Sequence, residues 1–156
     1  MKKRFTVSEA RQKIYRYCAY QERSHHEVRD KLYTYGLYKD EVEELLSQLI
    51  TEGFLNEERF AKAFAGGKFR MMKWGKIKIV HELEARGLTA NCIRSGLREI
   101  SDDGYMNTLS ELLRRKSDQS EEKDLFVKRD KLARFAIQKG FEPELVWRVI
   151  KSMESI

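Results

Sequence analysis

The stretch Leu32-Tyr33-Thr34-Tyr35-Gly36-Leu37 returns as Leu83-Glu84-Ala85-Arg86-Gly87-Leu88 and, more loosely, as Ala136-Ile137-Gln138-Lys139-Gly140-Phe141. In each copy a glycine is followed by an apolar residue. A glycine just past a helix takes the left-handed conformation that closes the last carbonyls, and the apolar residue beyond it packs back onto the helix. The copies recur at roughly fifty residues, which is the signature of a repeat architecture. Around the glycines the apolar residues hold helical spacing. Val28, Ile79 and Leu132 precede them by two turns, and Leu32, Leu83 and Ala136 by one. Val42 with Leu46, Ile93 with Leu97, and Val146 with Ile150 then place the same stripe on a second helix after each turn.

A further amphipathic helix precedes each pair, expected at Ser8 to Glu22, Asn56 to Met72 and Tyr105 to Lys116, with caps at Ser8, Asn56 and Asp103 or its neighbours. Its stripes are Ile14 and Cys18 with Tyr17, then Phe60, Ala61, Phe64 and Ala65, then Leu109, Leu112 and Leu113. Three stripes enclose a small core. The expected fold class is therefore all-α: tandem three-helix units over residues 1–53, 54–101 and 102–156. Because units of about fifty residues have marginal cores, they are expected to stack into an elongated, curved, right-handed arrangement. The polar run Ser117 to Asp124 is either a loop or a frayed helix end.

Composition agrees with helix. Pro143 is the single proline, hydrophobic residues make up 41% and charged residues 36%, enough apolar surface for a core beneath a densely ionic exterior. The net charge of +6 favours an anionic partner, nucleic acid foremost. Cys18 and Cys92 stand far apart without a Cys-x-x-Cys context, so they read as small buried hydrophobes rather than a zinc site or disulfide. The start Met1-Lys2-Lys3-Arg4-Phe5 is basic but lacks the apolar stretch of a signal peptide, and no run is long enough to span a membrane, so the expected location is the cytoplasm.

Catalytic constellations are missing. His25-His26 point about 100° apart on a helix and have no third ligand placed nearby. His81-Glu82 is followed by Ala85 where a His-Glu-x-x-His site needs its second histidine. There is no phosphate-cradling glycine loop and no Gly-x-Ser-x-Gly turn, so neither a metal, nor a cofactor, nor enzymatic activity is expected.

Between the first and second repeats lies Gly53-Phe54-Leu55-Asn56-Glu57-Glu58-Arg59-Phe60-Ala61. Gly53 ends a helix, Phe54 and Leu55 are expected to bury the crossing, Asn56 caps the next helix with acids in its first turn, and Phe60 with Ala61 opens the new apolar face. This segment resembles the most recognisable motif of the RecX family of recombinase modulators. Arg23-Ser24 before Glu27-Val28 and Lys31-Leu32, and Trp74-Gly75-Lys76 before Ile79, Glu82-Leu83 and Arg86-Gly87-Leu88, resemble the family pattern in order and spacing. The third repeat departs from it where Ala136 replaces the leucine before the turn. The resemblance implies a non-enzymatic monomer that binds the groove of the RecA filament on single-stranded DNA and limits its extension, ATP turnover and strand exchange. Duplex DNA is a further possible partner.

Charge is uneven. From Lys68 to Arg98 eight basic residues face only Glu82 and Glu84, whereas seven acids lie between Lys39 and Arg59. Arg70, Lys73, Lys76 and Lys78, with Arg86, are the expected contacts to phosphates or to an acidic filament surface, and the alternative is an ordinary solvated helix face. Trp74 among them either stacks on a base or packs in the core. Six tyrosines crowd the first repeat, and with Arg11, Lys13, Arg16 and Arg23 they either form a stacking platform or pack between helices. A competing reading is a helical DNA-binding transcriptional regulator with a helix-turn-helix at Gly36 or Gly87. The recurrence of those turns in all three repeats makes them architectural instead.

Overall fold

The computed structural model describes residues 4–153, so Met1 to Lys3 of the basic start lie outside the described residues. Its order is α1 (Val7–Tyr20), α2 (His25–Thr34), α3 (Lys39–Thr51), α4 (Glu57–Gly67), a π-helical turn at Lys68–Met72, α5 (Lys76–Ala85), α6 (Ala90–Leu97), α7 (Asp102–Gln119), α8 (Leu125–Gln138) and α9 (Pro143–Ser152). The described residues contain no strand. The expected all-α series of three-helix repeats is what forms. None of the described helices is long and apolar enough to cross a membrane.

The four glycine stops behave as the spacing requires: φ is +85° at Gly36, +81° at Gly53, +78° at Gly87 and +100° at Gly140. Three close with the bond that marks a Schellman turn, from the residue after glycine to the carbonyl five positions back. Phe54 N–H donates to Leu49 O at 2.9 Å, Leu88 N–H to Leu83 O at 3.3 Å and Phe141 N–H to Ala136 O at 3.2 Å. Ala136 thus performs the backbone task despite its lost side chain.

Contacts divide the chain into two compact units. The first holds residues 4–63 and 83–96. There α1, α2 and α3 pack mutually. Ile14, Val28, Leu32, Val42 and Leu49 are completely buried, each worth about 1.5–3 kcal/mol relative to exposure. Gly96 brings α6 close to α4: a Cβ there would stand 2.6 Å from the Ala61 carbonyl oxygen. The second unit holds residues 64–82 and 97–153, with α7, α8 and α9 packed around Leu109, Leu113, Leu132, Phe141 and Ile150.

Some local expectations need correction. The first cap is Thr6, not Ser8, because Thr6 accepts the Glu9 N–H while Glu9 accepts the Thr6 N–H, closing a capping box. Among Asp103 and its neighbours, Ser101 is the residue that caps α7, accepting Gly104 N–H at 3.0 Å. Asn56 does cap α4, accepting Arg59 N–H at 2.9 Å. The run 117–124 is neither wholly loop nor wholly frayed: α7 continues to Gln119 with Ser117 buried, and Asp124 caps α8 by accepting Val127 N–H.

Candidate functional site

Two arrangements carry the residues singled out above. The first is the motif 53–61. Leu55 is buried as expected, but Phe54 is 37% exposed and stacks edge-on against Tyr15 at 4.7 Å, so only one of the pair fills the crossing. The polar residues of the motif are ties. Arg59 Nη2 donates to the carbonyls of Gly53 at 2.9 Å and Phe54 at 3.4 Å, while its Nε reaches Glu22 at 2.6 Å. Glu57 accepts His25 N–H at 3.2 Å, satisfying a first-turn donor of α2, and lies 3.5 Å from the His25 imidazole. Phe60 and Ala61 are buried on α4. His26 pairs with Asp30, one turn on, and no group of three metal-binding side chains occurs among the described residues.

The second is the basic segment after α4. Of the expected contact residues, Arg70, Lys73, Trp74, Lys76 and Lys78 lie in the second unit, whereas Arg86 lies in the first, where its Nε is 3.3 Å from Glu27. The α-helix expected to reach Met72 changes at Lys68 into a π turn, which ends at Lys73 with φ +58°. A lysine in the left-handed region is costly, by roughly 1–3 kcal/mol. Here its Nζ returns to the Arg70 carbonyl at 2.8 Å. The turn leaves Met71 83% exposed and exposes Met72, Arg70 and Lys73.

Trp74 is neither a free aromatic nor a core residue. It is half-buried, edge-on to Phe64 at 6.2 Å, with Lys78 Nζ 4.6 Å and Lys68 Nζ 5.1 Å from its ring centroid. Lys68 was not among the expected contacts. It sits six residues before Trp74, outside α-helical register with it, and only the π turn brings the two together.

The start of α5 lacks a side-chain cap of its own and borrows tertiary partners. Gly75 N–H donates to Lys139 O at 2.7 Å, Lys76 N–H to the Tyr105 hydroxyl at 2.9 Å, and Ile77 N–H to Gly140 O at 3.0 Å. The backbones touch: a Cβ on Gly75 would lie 2.2 Å from the carbonyl carbon of Gly140. Tyr105 in turn donates its hydroxyl to Glu142. Burial, and then that hydrogen bond, hold its phenol far above the ordinary tyrosine pKa, so it stays protonated. Lys76 folds over the Tyr105 ring at 4.7 Å and lies 3.9 Å from Asp102, leaving its ammonium engaged in the unit.

The helices thus follow one another as tandem three-helix repeats, the class of small all-α repeat proteins. Models of the RecX first, second and third three-helix domains match residues 10–49, 56–97 and 103–150 in order. The chain belongs to the RecX family. Its relatives include the regulatory protein RecX of Lactobacillus gasseri, 31% identical over 107 residues, 69% of this chain and 40% of that protein. The RecX of Clostridium perfringens is 25% identical, over 81% of this chain and 60% of its own. That of Prosthecochloris aestuarii is 26% identical over 88% of both. The first two matches thus span less than two thirds of the relatives' lengths. The crystal structure of RecX from Lactobacillus salivarius shares the fold, with a TM-score of 0.84 at 21% identity over 96% of this chain and 97% of that one.

Proposed function

We propose that this chain is a regulator that binds the RecA filament on single-stranded DNA and restrains its recombinase and ATPase activities, acting as a cytoplasmic monomer. The observation that carries this reading is the ordered match of all three RecX domains, at residues 10–49, 56–97 and 103–150, and we propose repeat boundaries of 1–53, 54–101 and 102–156 around them. Supporting it is the basic segment. The proposed contact residues are Arg70, Lys73, Trp74, Lys76 and Lys78, with Arg86. Arg70 and Lys73 stand exposed on the π turn and supply charge, while Lys76 positions the segment through its backbone bond to Tyr105.

The test follows ATP hydrolysis by preassembled RecA filaments as the protein is added, beside binding to bare single strands and to duplex at several salt concentrations. Slowed hydrolysis with preferential filament binding is the expected outcome. The double variant Arg70→Glu/Lys73→Glu should require about ten-fold more protein for the same inhibition. Sequence-specific duplex binding with no effect on the filament would overturn the reading in favour of a transcriptional regulator.

A further inference from the structure

Between α1 and α2 the first unit carries an open groove with no acidic residue in its lining. Its cations are Lys13, Arg16, Arg23 and Lys31, and its aromatics Tyr17, Tyr20 and Tyr35. The placement follows from helical geometry: Lys13, Arg16, Tyr17 and Tyr20 stand at i, i+3, i+4 and i+7 on one face of α1, and Lys31 and Tyr35 stand one turn apart along α2. Among the described residues, none of the four cations has a carboxylate partner within ion-pair distance. The acids of α2 are engaged elsewhere, Glu27 with Arg86 and Asp30 with His26.

The tyrosines divide the work. Tyr17 is half-buried, and the Arg23 guanidinium lies 3.7 Å and Lys31 Nζ 5.4 Å from its ring centroid. Arg23 is fixed further by donating from Nε to the Tyr17 carbonyl at 3.0 Å. Tyr35, buried, anchors the floor, with Lys31 Nζ 6.0 Å from its ring centroid. Tyr17 and Tyr35 therefore hold cations in place. Tyr20, the last residue of α1, is 82% exposed and has no ring partner among the described residues. Ordered cations beside one unpartnered aromatic face are what a single nucleic-acid strand requires, because phosphates seek the charges and an unstacked base needs a ring to cover it. A duplex keeps its bases stacked inside, and an acidic peptide has no use for the ring.

We propose that this groove binds single-stranded nucleic acid, with backbone phosphates on Arg16, Arg23 and Lys31 and a base stacked on Tyr20. The site gives the chain a strand contact that needs no recombinase, so it stands or falls separately from the regulatory reading.

The experiment uses the full chain and bare oligothymidylate, labelled with fluorescein for anisotropy and substituted with iodouracil for photocrosslinking. The adduct should map to Tyr20 or Tyr17 by mass spectrometry. Tyr20→Ala should weaken binding about ten-fold and Tyr20→Phe less than about two-fold. Arg16→Glu/Lys31→Glu should flatten the dependence of log affinity on log salt by about 1.4, two phosphate contacts at about 0.7 each. Because Tyr20 and Arg16 are exposed, the Tyr20 variants and Arg16→Glu alone should keep the helical circular dichroism of the parent. The single charge reversal, which should flatten the slope by about 0.7, checks the double variant, whose Lys31 is half-buried. Adducts found only outside α1 and α2, or equal affinity in Tyr20→Ala, would overturn the proposal. So would displacement by poly-glutamate that Tyr20→Ala leaves unchanged, which would mark the groove as a seat for an acidic protein.

Discussion

Gly87 and Gly140 end their helices in the same way and are used differently. Both adopt positive φ, +78° and +100°, and both are followed by a residue that bonds back across the turn. A Cβ on Gly87 would meet nothing within 4 Å. On Gly140 it would lie 2.4 Å from the Cβ of Lys78 and 2.8 Å from its backbone nitrogen. The repeated signal thus specifies the turn and nothing beyond it. In the second unit the turn has become a clasp against Gly75, and the clasp positions the proposed contact segment.

The largest effect should come from closing that clasp. Gly140→Ala combines a left-handed penalty of roughly 1–2 kcal/mol with overpacking against backbone of roughly 1–3 kcal/mol, so a loss of about 2–5 kcal/mol is expected. That should lower the melting temperature of the full chain by roughly 10 °C. Gly75→Ala carries no left-handed penalty but overpacks the same junction and strains the bonds of Gly75 and Ile77, for roughly 3 kcal/mol. Thermal unfolding that leaves both variants within about 1 °C of the parent would dissolve the distinction between the two turns.

How much of this could be read beforehand follows from the range of each interaction. The glycine stops, the stripes through Leu32, Leu83 and Leu132, and the Asn56 cap depend on residues within two helical turns, so spacing exposes them. The Thr6 box is equally local, since Thr6-x-x-Glu9 is a capping pattern, but Ser8 two residues on offers the same hydroxyl chemistry and only the Glu9 spacing separates them. Segment 68–78 was legible as charge and illegible as shape. The donors at the start of α5 find their acceptors in Tyr105, Lys139 and Gly140, at least twenty-nine positions away from Lys76, and the π turn with its left-handed Lys73 breaks the α-helical spacing that the sequence continues through Met72. Gly75 and Gly96 gave only a weak hint: glycines that no turn explains, placed where another backbone comes close. Phe54 lies at an edge against Tyr15, and apolar character alone does not separate a core position from one that a tyrosine covers.

Gly87→Ala is the intermediate case. With open space around the Cβ, only the backbone penalty of about 1–2 kcal/mol applies, and Gly87→Asn should cost less because asparagine tolerates the left-handed region. A loss as large as that of Gly140→Ala would mean that the Gly87 turn also holds something beyond its own helix.

The smallest effect is chemical, and it asks where the Gly87 turn passes its strain. Beyond that turn Thr89 accepts the Cys92 N–H at 3.3 Å, and Cys92 is half-buried on α6. Cys18 is buried in the core of the same unit, where desolvation pushes its thiol up to about 11. An aromatic disulfide reagent near neutral pH should therefore modify Cys92 promptly and reach Cys18 only when the core opens. In Gly87→Ala a local opening eased by about 1 kcal/mol should speed Cys92 roughly five-fold and leave Cys18 behind. If both thiols accelerate together, the turn is coupled to the whole core, and Gly87 is a clasp of the same kind as Gly140.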